Sequence, residues 1–290
     1  MNRILLIFGT RPEAIKMAPL VNSFKKENSF FHTKVCVTAQ HREMLDQVLE
    51  FFKIVPDFDL NLMKPGQGLH DLTANIIKAL QPVLEEFAPD FVFVHGDTTT
   101  TMASSIASFY FGSKVCHVEA GLRTYNKLSP FPEEINRQIT GRIADYHFPP
   151  TNSSKLNLME EKIDERNILV TGNTVIDALL SSIEKVNKYP SDYIKEISKK
   201  LGQKELILVT GHRRENHGDP FIRICEALKK IASNDSTRII VYPVHLNPKV
   251  QDPVKRILSK CPNILLIDPL SYPDFIWLME RSKIVITDSG

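Results

Sequence analysis

The first half of the chain alternates short, continuously apolar segments with longer segments of helical periodicity. Runs rich in Ile, Val and Phe occupy residues 4–8, 34–38, 91–95 and 114–118, and a weaker run covers 146–149. A strand that is apolar at every position is typical of a parallel sheet with helices on both faces. The pattern therefore predicts a doubly wound α/β domain.

A second βα series follows a lysine-rich segment at 185–202. A strand at 168–170 leads into a helix before that segment, and further strands are predicted at 206–209, 238–242, 264–267 and 283–286. We therefore expect an amino-terminal Rossmann-like domain over 1–172 and a partial second one over 173–290.

Composition excludes several classes of protein. With 42% hydrophobic and 24% charged residues among 290, the chain has the composition of a folded globular protein. The net charge of +2 is too small for a protein that binds nucleic acid mainly by neutralising phosphates. No apolar run approaches the roughly 18 residues of a membrane span, and no signal peptide is evident at the amino terminus. Four scattered cysteines favour reduced thiols in a cytoplasmic protein.

The residues that follow the predicted strands are unusually polar. Ligands of open parallel sheets bind outside the carboxyl ends of the strands. Here those ends read GTRPEAIK, HGDTTTT and HVEAGLRT in the first half, and TGHRRENHG, PVHLNP and TDSG in the second. We expect these ends to form one crevice between two facing sheets.

GTRPEAIK suits an anion site at a helix amino terminus. Gly9 allows a tight turn, Pro12 favours the first helical turn, and Arg11 and Lys16 add positive charge. Free backbone donors and the helix dipole would then bind a diphosphate. A capped helix with two solvated cations would give the same sequence, and the motif is neither a dinucleotide fingerprint nor a P-loop.

Acidic side chains follow two further strands and begin a helix. Asp97 and Glu119 come directly after strands, and FPEEINR supplies Glu133 and Arg137. Asp97 would serve equally as a helix cap, and Glu133 as a dipole-stabilising residue. The pairs His95 with Asp97 and His117 with Glu119 lack the tight clustering of a metal site, so we expect no metal. In GHRREN, His212 belongs either to a solvated basic turn or to a cationic cluster facing the first domain.

Taken in order, these motifs resemble the non-hydrolysing UDP-N-acetylglucosamine 2-epimerases. Nine segments carry the resemblance: GTRPEAIKMAPL, TAQHREMLDQVL, HGDTTTT, HVEAGLRT, PEEINR, TGNTVIDAL, GHRREN, YPVHLNP and TDSG. The family implies a glycosyltransferase-B-like fold of two Rossmann-like domains with substrate in the interdomain cleft. It also implies a homodimer and a role in cell-surface polysaccharide biosynthesis.

The resemblance also implies roles for individual residues. Three residues would contact the nucleotide diphosphate: Arg11, Lys16 and His212. The catalytic set would be Asp97, Glu119, Glu133, Arg137 and His212, with Asp97 and Glu119 also binding substrate. Uracil would pack on Phe275 and meet the backbone of Leu270, while Ser289 and Gly290 would begin a phosphate-binding turn. A second, allosteric site for the substrate would include Gln40, Gln47 and His245.

The implied reaction interconverts UDP-N-acetylglucosamine and UDP-N-acetylmannosamine. UDP leaves C1 as the C2 proton is removed, 2-acetamidoglucal forms, and UDP returns after protonation on the opposite face. This route requires no redox cofactor, and the residues do not reveal which carboxylate is the base. The alternatives are a hydrolysing epimerase, a glycosyltransferase of the same fold, and a non-catalytic UDP-sugar-binding protein.

Family members continue beyond TDSG with another glycine, an acidic helix and further strands. The resemblance therefore implies that the second domain is incomplete over 173–290. On that basis the chain is expected to bind UDP weakly and to turn over poorly.

Overall fold

The computed structural model describes residues 1–38, 42–62, 66–211, 213, 216 and 218–288. The chain forms two compact units, Met1–Ala178 and Leu179–Gly290. This division falls within the helix Val175–Lys188, a few residues beyond the boundary expected from the sequence. In the described part of the chain, no helix combines the length and the apolar character needed to cross a bilayer.

The first unit contains a parallel sheet of six strands in the order β3-β2-β1-β4-β5-β6. Its strands are β1 (Asn2–Phe8), β2 (Phe31–Val37), β3 (Phe58–Asp59), β4 (Phe91–His95), β5 (Lys114–Val118) and β6 (Tyr146–Phe148). Its helices are α1 (Arg11–Lys26), α2 (Arg42–Phe52), α3 (Leu69–Phe87), α4 (Thr99–Phe111), α5 (Glu133–Ile143) and α6 (Asn152–Glu160), with a 3-10 turn at Glu165–Asn167. Helix α7 (Val175–Lys188) begins in the first unit and continues into the second.

The second unit contains a parallel sheet of four strands in the order β10-β7-β8-β9. Its strands are β7 (Glu205–Thr210), β8 (Arg238–Pro243), β9 (Ile264–Ile267) and β10 (Ser282–Thr287). Its helices are α8 (Asp192–Leu201), α9 (Asp219–Asn234), α10 (Pro248–Leu258) and α11 (Tyr272–Arg281).

The predicted α/β class and the main strands are confirmed. The central strand β1 shows why continuous apolar runs are informative: from Ile4 to Phe8 every side chain is buried, because helices cover both faces. The strand predicted at 168–170 is wrong, since Ile168 makes only an isolated bridge to His147. The two-residue strand β3 has no sequence counterpart among the predictions.

The order of the first sheet reverses direction between β1 and β4, which pair in parallel at its centre. The connections that leave these two strands diverge, so a crevice opens at their carboxyl ends. Gly9 lies at this crevice. A Cβ atom added to it would come within 2.1 Å of Thr38 Oγ1 and 2.7 Å of Thr100 Oγ1. The close approach of three segments therefore requires glycine at this position.

Candidate active site

Glu119, directly after β5, is the centre of a polar cluster in the first unit. Its Oε2 atom accepts hydrogen bonds from Lys16 Nζ at 2.5 Å, His95 Nε2 at 3.1 Å and Asn173 Nδ2 at 3.2 Å. Its backbone has a φ of 59°, in the left-handed region that costs an L residue about 1 kcal/mol. Strain of this kind is often retained where a side chain must be aimed for function.

The partners of Glu119 keep its carboxylate ionised. Burial alone would raise the pKa of this carboxyl, but hydrogen bonding and charge from His95 and Lys16 outweigh burial and lower it to about 2. A carboxylate bound by two cation-forming side chains is stabilised in its charged form. Glu119 therefore carries a full negative charge at neutral pH.

Asp97 follows β4, and the pKa of its carboxyl is shifted in the opposite direction from that of Glu119. Burial, the largest cause, raises the pKa of its carboxyl; Arg137 lowers it, while the negative charges of Glu133 and Glu119 raise it further. Arg137 Nη2 lies 3.1 Å from Asp97 Oδ2, and Asn136 donates to the Asp97 carbonyl at 2.9 Å. Two acidic groups on neighbouring strand ends thus have pKa values displaced in opposite directions, which is typical of acid–base sites.

Helix α5 brings Glu133 and Arg137 to this cluster through a buried neighbour, Glu134. Glu134 accepts the backbone N–H groups of Thr124 and Tyr125, each at 3.0 Å, and lies 3.5 Å from Arg137 Nε. It therefore ties the start of α5 to the loop that follows Glu119. In the sequence, Glu134 is visible only as the second acid of FPEEINR, at the predicted start of a helix.

The start of α1 differs in one respect from the expectation. The prediction of free backbone donors is wrong for Gly9, Thr10 and Glu13, because Glu13 accepts the first two N–H groups and Thr10 Oγ1 accepts the third. Arg11 lies exposed at the first position of the helix. Lys16 lies one turn beyond Glu13 and pairs with Glu119.

The structure places the remaining predicted residues as follows. In the second unit, Leu270 and Phe275 are half-buried around the start of α11, and His245 is exposed after β8. Gln47 is exposed on α2 in the first unit. Four predicted residues lie outside the described residues: Gln40, His212, Ser289 and Gly290.

In the second unit, a carboxylate at the carboxyl end of β10, Asp288, is bound by protein groups. Asp288 Oδ2 accepts the Arg213 backbone N–H at 2.9 Å and Asn216 Nδ2 at 3.1 Å. These bonds join the end of β10 to the described part of the loop after β7. Within the described residues, no group of three or more His, Cys, Asp or Glu side chains is arranged to hold a metal ion.

Sequence reasoning missed Glu13 and Asn173 as members of the site. Glu13 lies in GTRPE and Asn173 in TGNTV, so both belonged to segments that had been singled out. Asn173 donates to Glu119 across 54 residues of sequence. No local pattern indicates such a pairing.

Comparison with known proteins assigns the chain to a family. A family model described as UDP-N-acetylglucosamine 2-epimerase matches residues 23–290. The UDP-N-acetylglucosamine 2-epimerase of Escherichia coli (strain K12) is 55% identical over 291 residues, which cover 99% of this chain and 77% of that protein.

Two solved structures share both sequence and fold with the chain. UDP-GlcNAc 2-epimerase from Neisseria meningitidis, in a crystal structure with bound UDP-GlcNAc, is 50% identical with a TM-score of 0.83, covering 99% of this chain and 78% of that one. The S. aureus MnaA–UDP co-structure is 46% identical with a TM-score of 0.84, covering 100% and 75%. The predicted glycosyltransferase-B-like class, with two Rossmann-like units, is confirmed by these neighbours. The chain belongs to the UDP-N-acetylglucosamine 2-epimerase family.

Proposed function

We propose that the protein is an isomerase of the non-hydrolysing kind that interconverts UDP-N-acetylglucosamine and UDP-N-acetylmannosamine. The observation that carries this proposal is the pair of carboxyl groups on adjacent strand ends, Asp97 and Glu119, whose pKa values are displaced in opposite directions. A relative of this chain has been crystallised with UDP-GlcNAc. Epimerisation by elimination uses both a carboxyl group that transfers protons and an ionised carboxylate that stabilises positive charge, and the two opposite pKa shifts suit one group to each role.

The reaction begins with elimination. A base removes the C2 proton, the C2–H electron pair forms the C1–C2 double bond, and the C1–O bond breaks as UDP departs with its electrons. Delivery of a proton to the other face of C2, followed by return of UDP to C1, gives the epimer. Two acid–base groups on opposite faces are therefore needed.

The electrostatics favour Asp97 as one of these groups. A pKa raised toward neutrality improves a carboxyl group as a proton-transfer catalyst, whereas Glu119, with a pKa of about 2, is a weak base. Glu119 instead stays ionised and stabilises positive charge that develops at C1 as UDP leaves. Glu133, whose charge acts on Asp97, is the opposing proton-transfer group in this proposal, and Arg137 holds Asp97 in place.

The substrate-binding residues are proposed from the family resemblance. Arg11, Lys16 and His212 bind the diphosphate, Leu270 and Phe275 bind uracil, and Ser289 with Gly290 receives phosphate. Lys16 is placed beside the proposed reaction centre by its pairing with Glu119, which puts a cation where the departing diphosphate needs one. Gln40, Gln47 and His245 are proposed as the allosteric set; rate curves that remain hyperbolic in substrate, in both directions, would argue against it.

We also propose the assembly and location of the protein. Residues 1–172 act as the catalytic domain and 173–290 as the nucleotide-binding part, within a cytoplasmic homodimer that supplies cell-surface polysaccharide biosynthesis. Four free cysteines, three of them buried, support a reducing compartment. Analytical ultracentrifugation tests the dimer, since a mass of one chain at micromolar concentration would contradict it.

The identity of the product tests the proposed reaction. Incubation with UDP-N-acetylglucosamine, followed by NMR, should give a mixture of the two UDP-sugars whose ratio is the same from either direction. Accumulation of free N-acetylmannosamine with UDP would indicate the hydrolysing reaction instead. UDP release that depends on an added acceptor would indicate a glycosyltransferase.

A further inference from the structure

Glu13 lies between the two loops that leave the centre of the first sheet. One loop follows β1 and contains Gly9 and Thr10, while the other follows β4 and contains Asp97 and Thr98. These strands are neighbours at the point where the strand order reverses, so their loops border the same crevice. Glu13 itself is only 2% exposed.

The two carboxylate oxygens of Glu13 bind different loops. Oε2 accepts the N–H groups of Gly9 at 3.1 Å and Thr10 at 2.8 Å. Oε1 accepts the hydroxyl of Thr98 at 2.7 Å and lies 3.2 Å from that of Thr101. One side chain thus connects segments that are 85 residues apart in sequence.

Helix capping explains only half of these contacts. Glu13 completes a capping box with Thr10, and this uses Oε2 alone. Helix α4 has its own cap, because Thr98 Oγ1 accepts the N–H of Thr101. The bond from Thr98 to Glu13 is therefore unnecessary for either helix end, and its effect is to hold one loop against the other.

The connected segments carry the groups of the proposed reaction. Thr98 directly follows Asp97, and Lys16, one turn beyond Glu13 on α1, reaches Glu119. A shift of α1 relative to β4 would therefore move Lys16 relative to Asp97. Displacements of about 1 Å at reacting groups can cost on the order of 100-fold in rate.

We propose that Glu13 is a positioning residue that holds the β1–α1 turn and the Asp97 loop in catalytic register. It acts through hydrogen bonds and not through its charge on the substrate. The proposal rests on the epimerase function above for its kinetic consequence, while its structural consequence is independent of turnover.

Three variants test this role. Glu13→Ala removes both sets of bonds, whereas Glu13→Gln can accept the two N–H groups through Oε1 and donate to the Thr98 hydroxyl through Nε2. Ser113→Ala is the matched control: it removes a buried bond from Ser113 Oγ to the Pro89 carbonyl, 2.7 Å long, next to the amino ends of β4 and β5. All three proteins should be compared by thermal melting, steady-state kinetics and amide NMR.

The expected pattern separates positioning from general stability. Glu13→Ala should lower kcat by about 10- to 100-fold with a much smaller change in KM, and Glu13→Gln should recover kcat to within a few-fold of wild type. Ser113→Ala should melt earlier while kcat is unchanged. The amide signals of Asp97 and Thr98 should move in Glu13→Ala but stay near wild-type positions in Glu13→Gln.

Three outcomes would overturn the proposal. They are an unchanged kcat in folded Glu13→Ala, an equal loss in Glu13→Gln, and unmoved Asp97 and Thr98 amide signals in Glu13→Ala. A wild-type protein without epimerase activity would instead contradict the proposed function, and the NMR comparison would still decide whether Glu13 couples the two loops.

Discussion

The amino and carboxyl edges of the first sheet both carry carboxylates, but different groups bind them. At the amino edge, three aspartates immediately before strands accept backbone N–H groups of the neighbouring strand at 2.7–2.9 Å: Asp57 from Val35, Asp90 from Arg3 and Asp145 from Val115. Asp145 also pairs with the exposed Lys114 Nζ at 2.8 Å. At the carboxyl edge, Glu119 and Asp97 are bound mainly by the side chains of Lys16, His95 and Arg137.

This difference separates structural acids from chemical ones. A backbone amide cannot change its charge or leave, so it holds a carboxylate in one state and one place. Ionisable side chains can exchange partners when a ligand binds, and they displace pKa values according to their own charge. The same residue types therefore align strands at one edge and, in the function proposed above, form a proton-transfer site at the other.

The largest expected effect follows from removing charge at the carboxyl edge. Glu119→Gln should reduce kcat by about 10³-fold, because an ionised group that stabilises charge at C1 is lost. The matched change at the amino edge, Asp57→Asn, should leave kcat unchanged and lower stability by about 1 kcal/mol. Steady-state rates and denaturant melts should be measured for both variants. An equal loss of kcat in the two would contradict the difference in role between the two edges.

A smaller rate effect, with an unusual stability effect, is expected for Asp97→Asn. We expect kcat to fall by about 10²-fold or more. The pKa of Asp97 is raised in the folded state, so at neutral pH its ionisation opposes folding, and the variant should be more stable than wild type.

The stability gain of Asp97→Asn should depend on pH in a defined way. The stability difference between variant and wild type should be full above the folded pKa of Asp97 and should close as pH falls below the ordinary value of 3.8, because Asp97 is then protonated in both the folded and the unfolded chain. Urea melts between pH 3 and pH 7 measure it. A destabilised variant at pH 7 would show that the Arg137 pair outweighs burial.

Two buried histidines behind the carboxyl edge should make the chain sensitive to acid. Burial lowers the pKa of His117 to about 3 and that of His147 to about 4, from an ordinary 6.5. The unfolded chain then binds more protons between these values, so stability is full above pH 6.5 and falls as pH drops.

His147→Leu should reduce the loss of folding stability at low pH. The shift of His147 corresponds to something on the order of 3 kcal/mol at pH 4. Melts of wild type and variant at pH 4.5 and 7.5 provide the check. Identical pH dependence in the two proteins would mean that edge carboxylates, and not these histidines, cause acid unfolding.

The smallest expected effect isolates backbone strain at Glu119. Glycine adopts a φ of 59° without the steric cost that alanine incurs, so Glu119→Gly should be more stable than Glu119→Ala by about 1 kcal/mol. Both variants should be inactive. A glycine variant that melts below the alanine variant would show that the left-handed conformation stores no energy at this position, because glycine's larger unfolded-state entropy would then decide the order.

The sequence predicted the fold well where structure depends on local pattern. Buried strands such as β1 and β4 are continuous apolar runs, and site residues such as Asp97 directly follow them, so both are visible in the chain. Strand β3 has only two residues and no periodicity to detect.

The details of the site depend on partners that are distant in sequence. Glu119 meets Lys16 across 103 residues, and Glu13 meets Thr98 across 85. Burial raises the pKa of Asp97, whereas at Glu119 the effect of burial is outweighed by hydrogen bonds and charge from His95 and Lys16; in sequence, acidic residues after adjacent strands look alike. The division of roles between them therefore emerges only from the folded contacts.

The most direct test is to incubate the protein with UDP-N-acetylglucosamine in deuterated water and follow C2 by NMR and mass spectrometry. Removal and return of the C2 proton by carboxyl groups that exchange with solvent predicts deuterium at C2 of the UDP-N-acetylmannosamine formed and, as the reaction reverses, of the recovered UDP-N-acetylglucosamine. Epimerisation that leaves C2 fully protonated would contradict the account.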